Sequence, residues 1–384
     1  MLTRAQDRVS DTLKAVERLA PLIETHRTDF DAARRLPDVV FEALADAGLF
    51  CLWLPKEFGG PELSPFEFMS VVEAASALDG SVGWLVGNGG GMSRIGGYVA
   101  KAVARDWLSD RRFFIASSTG AVGTARPVDG GYRVSGRWPF GSGAHHAVRF
   151  MGLASSTPDD PNSPRICCYV GRDDVAVIDN WHVSGLRGSG SCDFEMRDVF
   201  VPADHTHSFL ESKPTQSGLL YRMPPVSVFA WTVSVVPLGI AKGAMCTFGE
   251  LAGRKGRLGH TKLLRDSEIV QATAGRAESM HRAARVFLID AMTELMTATD
   301  EGGDRLVTAR ATFRMACAHA AESATRIVEM LAASTGAAAI FETCALERAA
   351  RDINAATKHI AMSPNNYTVG GRLALGLDPG TARF

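Results

Sequence analysis

The spacing of apolar residues changes twice along this 384-residue chain, and this change constrains the fold more than any other feature. Up to about Leu108 the apolar positions recur with the 3.6-residue period of a helix. Between about Phe113 and Pro202 the period is two, in short β-rich runs separated by turn residues. From about Val226 to Lys358 the chain is Ala-rich and again helical in period. The predicted order is therefore helices, strands, helices.

Turn and capping residues support this division. Pro37 and Gly48 enclose one helix, with Pro at its start and Gly at its end, as expected of helix termini. Ser64 and Glu67 have the spacing of a capping box, in which each side chain accepts a hydrogen bond from the backbone of the other. Asp129–Gly131 is typical of a hairpin turn. Helices are thus predicted before the hairpin and strands around it.

The chain is too long for one hydrophobic core, so we expect several domains. The periodicity predicts an N-terminal α-helical domain over 1–110, a middle β-barrel or sandwich domain over 111–222, and a C-terminal four-helix bundle over 223–384. The apolar faces of the Ala-rich helices are wider than one small β domain can cover. We therefore expect other subunits to cover them, in a homo-oligomer.

Composition limits the class of partner. The formal net charge of −1 offers no footprint for nucleic acid or an anionic membrane surface. The charged N-terminal segment lacks the apolar core of a signal peptide, and we expect no stretch long enough to span a bilayer. Seven scattered cysteines without a C-x-x-C spacing predict reduced thiols and no metal site. A cytoplasmic protein with a small-molecule ligand is predicted.

Several strings resemble the acyl-CoA dehydrogenase superfamily, in the same order along the chain. LWLPKEFGGPELSPFEFMSVVEAASALDGSVGWL is similar to its N-terminal P-x-E-x-G-G segment and the helix pair that follows. WHVSGLRGSGSCDFEMRDVFVP is similar to its G-x-R-G-[ST] stretch, and VVPLGIAKGAMCTFGELAGRKGRLG resembles the start of its C-terminal bundle. The resemblance covers nearly the whole chain and implies the acyl-CoA dehydrogenase-like fold with a bound flavin.

A candidate flavin contact lies at the end of a predicted strand, in Trp138-Pro-Phe140-Gly141-Ser142-Gly143. Small residues there let backbone N–H groups approach a planar ring, and a hydroxyl can meet a ring nitrogen. The resemblance implies that Trp138, Phe140, Gly141 and Ser142 contact the isoalloxazine, with Ser142 also catalytic. The alternative is a β-bulge with a packed tryptophan.

A second flavin contact is expected after the first long bundle helix. The resemblance implies that an arginine at this turn reaches a flavin phosphate of the neighbouring subunit in a homotetramer, and Arg254 and Arg257 are the candidates. Guanidinium groups match phosphate through paired donors. A solvated turn with basic residues is the alternative.

The residue at the end of the bundle favours oxygenation over dehydrogenation. A thioester dehydrogenase needs a carboxylate base beside the flavin, which the family places after the last bundle helix or near Gly256. This chain has His359 within one residue of the first place, and the turn RKGRLG at the second has no carboxylate. His359 resembles the catalytic histidine of two-component monooxygenases, which receive reduced FAD or FMN from a separate reductase and form a flavin C4a-hydroperoxide with O2.

The substrate pocket is the least constrained part of the site. SGAHHAV resembles the hydroxylase branch, and strand alternation points one of His145 and His146 inward without telling which. We take His146, Trp84 and Asn88 as substrate-binding candidates. The segment after Trp84 lacks the histidine frequent in phenol hydroxylases, so an indole, a fused-ring compound or an amine fits as well as a phenol.

The predicted function is hydroxylation of an aromatic or heteroaromatic small molecule with reduced flavin and O2. N- or S-oxygenation by the same chemistry is an open alternative. Less favoured alternatives are an acyl-CoA-type dehydrogenase with a displaced base and a flavin-binding protein without enzymatic activity.

Overall fold

The computed structural model describes residues 2–160, 162–211, 213–256 and 262–380. The chain forms two compact units, each built from separate segments of the sequence. Unit 1 comprises Met1–Val71, Leu85–Val183 and Arg187–Pro225. Unit 2 comprises Val72–Trp84, Ser184–Leu186 and Val226–Phe384. The division into three domains stays a prediction, although the secondary structure changes type close to both proposed boundaries.

The N-terminal part is helical, as predicted. Its helices are α1 (Leu2–Ala33), α2 (Asp38–Asp46), α3 (Pro65–Leu78), α4 (Gly80–Met92) and α5 (Lys101–Trp107).

The predicted helix boundaries are confirmed. The N–H of Ser64 donates to Glu67 Oε2 at 2.7 Å, and the N–H of Glu67 donates to Ser64 Oγ at 3.3 Å. These bonds form the capping box before α3 and satisfy two N–H groups that a helix start leaves without partners. Gly48, with φ of 73°, follows α2. This backbone conformation is costly for residues that carry a Cβ atom.

The middle part is a seven-stranded sheet in the order β5-β6-β2-β1-β3-β4-β7. Its strands are β1 (Ile115–Val128), β2 (Gly131–Gly141), β3 (Arg149–Ser155), β4 (Ile166–Gly171), β5 (Ala176–Ile178), β6 (Cys192–Pro202) and β7 (Thr206–Ser208). β1 pairs antiparallel with β2 through the predicted turn, and parallel with β3. The three-residue strands β5 and β7 were not predicted, because so short a run carries no detectable period.

The C-terminal part is the predicted bundle. Its helices are α6 (Leu219–Arg222), α7 (Pro225–Ser234), α8 (Val236–Arg254), α9 (Glu268–Glu301), α10 (Gly303–Thr335), α11 (Ala345–Ala356) and α12 (Asn365–Ala374). α10 packs against α8, α9, α11 and α12. Alanines on the inner faces of α9 and α10 are fully buried, which brings the helix backbones close together.

The expectation that no stretch is long enough to span a bilayer is wrong. The 30-residue stretch Pro225–Arg254 is long and apolar enough to cross a bilayer by length and composition. However, 78% of its most apolar window is buried within the protein. Burial of this kind is typical of a core helix, so the stretch is weak support for a membrane span.

Candidate active site

The end of β2 is an irregular strand terminus that exposes an aromatic ring. Phe140 has φ of 63°, a left-handed conformation that costs a bulky residue about 1–3 kcal/mol. Its side chain is 64% exposed and meets the ring of Trp181 edge to face, with centroids 6.4 Å apart. Pairing between β2 and β6 shifts register between Trp138 and Gly141. The bulge therefore turns Phe140 outward.

Two residues after Phe140, Ser142 begins a chain of buried hydroxyl groups. Ser142 Oγ is 2.9 Å from Ser191 Oγ, which is 2.8 Å from Ser189 Oγ. The N–H of Gly143 donates to the carbonyl oxygen of Ser189 at 2.8 Å, so the loop before β6 is tied to the turn after β2. An exposed aromatic face beside hydroxyl and amide donors fits a planar, polar heterocycle such as isoalloxazine.

Trp138 does not fit the predicted contact with flavin. Its side chain is fully buried, and its indole N–H donates to the carbonyl oxygen of Leu153 at 2.8 Å. The ring stacks on Phe194 with centroids 5.5 Å apart, and an added Cβ at Gly152 would meet it at 2.6 Å. The alternative of a bulge with a packed tryptophan is therefore confirmed for this side chain. Trp181, which sequence reasoning missed, is the tryptophan beside Phe140.

Gly141 is required by packing. A Cβ atom there would lie 2.8 Å from the ring of Phe194, so any larger residue would displace the strand end. Its contact with flavin, like those of Phe140 and Ser142, stays a prediction.

The adjacent histidines lie in a turn and not in a strand, so strand alternation does not apply to them. His146 stacks on Phe41 with centroids 4.1 Å apart, and its Nε2 lies 3.0 Å from the carbonyl oxygen of Leu36. Burial lowers its pKa to about 4. This packing supports a structural role for His146, and its contact with substrate stays a prediction.

His145 lies beside the first residue of β6. Its Nε2 is 3.4 Å from Cys192 Sγ, and together with Asp179 these groups offer three metal-ligating atoms within 4.8 Å of one another. However, Arg34 donates two hydrogen bonds of 2.7 Å to the carboxylate of Asp179. Burial and the charge of Arg35 lower the pKa of His145. This cationic surrounding disfavours a divalent ion, so we assign no metal here.

In unit 2 the surroundings of His359 favour one form of its ring. The side chain follows α11, and its Nδ1 accepts a hydrogen bond from the N–H of Ala361 at 3.2 Å. Burial lowers its pKa to about 4, so the ring is neutral near pH 7. Since Nδ1 holds a lone pair, the ring proton is on Nε2. His359 is therefore a neutral hydrogen-bond donor.

Aromatic rings flank this donor. Trp84 meets it edge to face at a centroid distance of 5.8 Å, and Phe229 lies at 6.4 Å. Trp84 is 8% exposed, so little of its ring is open to solvent. Phe229 is a further aromatic contact that the sequence did not single out, because α7 is apolar on nearly every face. Asn88 is partly buried on α4, and its role in substrate binding stays a prediction.

Two buried acidic residues of unit 2, Asp79 and Asp352, serve the fold. Asp79 Oδ1 accepts a hydrogen bond from the N–H of Ser81 at 2.8 Å, which caps α4. Asp352 Oδ1 accepts one from the N–H of Leu186 at 2.7 Å, and Arg348 lies 3.5 Å from Asp79. Burial and the charge of Asp79 raise the pKa of Asp352 to about 7. Sequence reasoning missed this buried network, although Asp79 precedes the glycine that begins α4.

Arg254 and Arg257 are the candidates for phosphate binding. Arg254 is exposed in the last turn of α8, where a basic side chain also complements the helix dipole. Arg257 lies outside the described residues. Both remain predictions for phosphate binding.

Comparison with known proteins identifies the family. Residues 5–110 match the model for the acyl-CoA dehydrogenase N-terminal domain, and residues 231–364 match that for the C-terminal domain. Two relatives align over most of both chains. Indole-3-acetate monooxygenase of Pseudomonas putida is 27% identical over 91% of this chain and 90% of its own. The flavin-dependent monooxygenase oxygenase subunit HsaA of Mycobacterium tuberculosis is 29% identical over 99% of both.

Solved structures agree. XiaF from a Streptomyces species, determined with FADH2 and glycerol, superposes with a TM-score of 0.89 and 25% identity, covering 99% of this chain and 98% of that one. The HsaA monooxygenase of M. tuberculosis gives a TM-score of 0.87 and 27% identity, covering 98% and 100%. This chain therefore belongs to the acyl-CoA dehydrogenase family, among relatives that are flavin-dependent monooxygenases.

Proposed function

We propose that this protein is the oxygenase component of a two-component flavin-dependent monooxygenase that hydroxylates an aromatic or heteroaromatic small molecule. The observation that carries the proposal is the state of His359. A neutral imidazole with its proton on Nε2 donates a hydrogen bond, whereas a dehydrogenase needs a carboxylate base at this place. The oxygenase subunits among its relatives support the same assignment.

The flavin contacts are proposed for unit 1. Phe140 presents an aromatic surface to the ring, and Ser142 offers a hydroxyl whose direction is set by Ser191. Bound reduced flavin supplies the electrons that activate O2 and the route by which one oxygen atom reaches the substrate.

His359 is proposed to hold the reacting oxygen by a hydrogen bond from Nε2. A neutral donor suits this task, because it keeps its proton throughout the neutral pH range. Trp84 and Phe229 flank the ring with apolar surface, which excludes water. Exclusion of water would limit the unproductive reaction in which reduced flavin is oxidised and O2 leaves as hydrogen peroxide.

The substrate class rests on the relatives. Indole-3-acetate monooxygenase and the oxygenase component of FADH(2)-dependent resorcinol hydroxylase of a Rhizobium species, which is 29% identical over 94% of this chain, are named for aromatic substrates. Phe229, which is partly exposed, is suited to stacking on such a ring. We propose a separate reductase as the source of reduced FAD or FMN.

We propose that the active form is a homotetramer in the cytoplasm, with Arg254 and Arg257 contacting a neighbour's flavin phosphates. All seven cysteines are free thiols, as expected in a reducing compartment. On α9 a shallow groove of about 600 Å³ remains open to solvent, lined by Ser279, Arg282, Ala283, Val286, Phe287 and Asp290. Val286 is 59% exposed there, and a second copy would bury it.

The test is direct. Purified protein is loaded with chemically reduced flavin, mixed with oxygen and followed by stopped-flow absorbance. We expect a transient species, and 18O from labelled O2 in the product when indoles or phenols are added. Product labelled at nitrogen or sulfur would select the N- or S-oxygenase. Bleaching of oxidised flavin by an acyl-CoA, with no transient species, would contradict the proposal.

A further inference from the structure

Backbone hydrogen bonds within residues 359–366 hold the turn that carries His359. The N–H of Met362 donates to the carbonyl oxygen of His359 at 2.9 Å, and the N–H of Asn366 donates to the carbonyl oxygen of Ser363 at 3.0 Å. The N–H of Ala361 donates to Nδ1 of His359 at 3.2 Å. The placement of Ala361 therefore decides which imidazole nitrogen keeps its lone pair.

The side chain of Asn366 holds the carbonyl end of Ala361. Asn366, at the start of α12, is 5% exposed, and its Nδ2 donates to the carbonyl oxygen of Ala361 at 2.8 Å. Only the amide nitrogen can donate to a carbonyl group, so this partner settles the orientation of the amide. The N–H of Ala361 is bound by His359 and its carbonyl oxygen by Asn366.

We propose that Asn366 is a positioning residue that sets the tautomer of His359. By anchoring the carbonyl group of Ala361, Asn366 keeps the N–H of Ala361 on Nδ1 and so keeps the ring proton on Nε2. The inference rests on the proposed function, since only a donating Nε2 gives the tautomer a catalytic consequence.

The physical reason is that an isolated neutral imidazole populates both tautomers, and the hydrogen bonds of its nitrogens decide between them. Without Asn366 the carbonyl group of Ala361 loses its donor, which costs free energy until the turn rearranges. Rearrangement moves the N–H of Ala361 away from Nδ1. The proton can then occupy Nδ1, and Nε2 changes from donor to acceptor.

The chain provides a matched control. Asn365 is the same residue type at the preceding position, but its side chain is exposed. The test variant Asn366→Ala is compared with the control Asn365→Ala. If Asn366→Ala does not fold, Asn366→Asp replaces it, because aspartate keeps the shape of the side chain and removes the amide donor. Flavin-free protein labelled with 15N-histidine is measured by NMR, and the spectrum of His359→Gln identifies the signals of His359.

We expect wild type and Asn365→Ala to show His359 protonated at Nε2. Loss of the anchoring bond in Asn366→Ala should raise the ratio of the Nδ1-protonated to the Nε2-protonated form of His359 by about 2- to 10-fold. Coupling of flavin oxidation to product should fall while the Kd for flavin stays unchanged. A wild-type tautomer in folded Asn366 variants would overturn the inference, as would a wild-type ring protonated at Nδ1.

The two proposals fail separately. If His359→Ala keeps full coupling, the proposed catalytic role of His359 is wrong. The tautomer of His359 measured in the Asn366 variants then still tests whether Asn366 sets it. If His359→Ala loses coupling while the Asn366 variants keep the wild-type tautomer, only the inference about Asn366 is wrong.

Discussion

The indole ring of Trp84 meets the imidazole ring of His359 edge to face, with centroids 5.8 Å apart and planes inclined at 68°. Trp84 belongs to α4 and His359 follows α11, so the pair joins two elements that are far apart in sequence. The contact fixes the plane of the imidazole while the N–H of Ala361 fixes its tautomer. The direction of the Nε2 proton is thus set before any ligand binds, which is the preorganisation that a catalytic donor requires.

Replacement of His359 by alanine tests its role as a donor. We predict that His359→Ala keeps the fold and flavin binding and lowers coupled hydroxylation about 10²-fold, the range of a positioned proton donor or acceptor. Hydrogen peroxide release should rise as product falls, because reduced flavin still reacts with oxygen. The assay measures product and peroxide per flavin oxidised. His26→Ala on α1 is the control, and full coupling in His359→Ala would make His359 a packing residue.

The lowered pKa values of buried histidines predict how stability depends on pH. Burial lowers the pKa of His146 and His359 to about 4, whereas an unfolded histidine titrates near 6.5. Below about pH 6.5 the unfolded chain protonates these histidines and the folded chain does not, so they lower the free energy of unfolding from pH 6.5 to 4. The raised pKa of Asp352 offsets part of this slope, because the folded chain holds that proton over the same range. The free energy of unfolding should be flat above pH 7. Urea unfolding at several pH values measures this slope, and His146→Gln, which keeps a donor for Leu36, should reduce it.

Replacement of Ser142 tests the hydroxyl at the end of β2. We predict that Ser142→Ala shortens the lifetime of the transient absorbance severalfold, because one neutral hydrogen bond contributes about 0.5–1.5 kcal/mol. Ser191→Ala should shorten it less, since it removes only the partner that orients Ser142. Stopped-flow decay rates decide this, and a wild-type lifetime in Ser142→Ala would assign the flavin contact to another group.

The fold was predictable because its determinants are local. Apolar periodicity, the capping box at Ser64 and the turn at Gly130 each act over a few residues, so a sequence displays them directly. For the site, the sequence located the segments that form it but not which of their side chains face outward. A register shift between Trp138 and Gly141 decides that Phe140 and not Trp138 faces outward, and a register shift depends on the partner strand.

The assignment of histidines shows the same limit. His145 and His146 are adjacent in sequence, but the sequence does not reveal that Phe41 folds against His146, which stacks on it. The protonation of His359 also depends on the burial of its ring by the fold. Tertiary contacts thus decide which candidate is structural and which is available for chemistry.

Charge reversal on α9 tests the proposed assembly. Arg282 and Asp290 lie four residues before and after the exposed Val286, about 6 Å along the helix in each direction. A two-fold axis through Val286 places Arg282 of one copy against Asp290 of the other, twice in each interface. We predict that Arg282→Asp or Asp290→Arg weakens assembly and that the double variant restores it. Sedimentation velocity across a concentration series measures this.

The rescue by the double variant separates pairing from a general effect of charge. Exposed ion pairs contribute about 0.2–1 kcal/mol each, so two pairs shift a dissociation constant several-fold, and the like charges of either single variant add repulsion. Arg197→Asp on β6, where the arginine side chain is 79% exposed, makes the same change of charge elsewhere and should leave assembly intact. Because apolar burial at Val286 adds to these pairs, Val286→Asp should weaken assembly further than either reversal. Single reversals that assemble like wild type would place the contact between copies on another face.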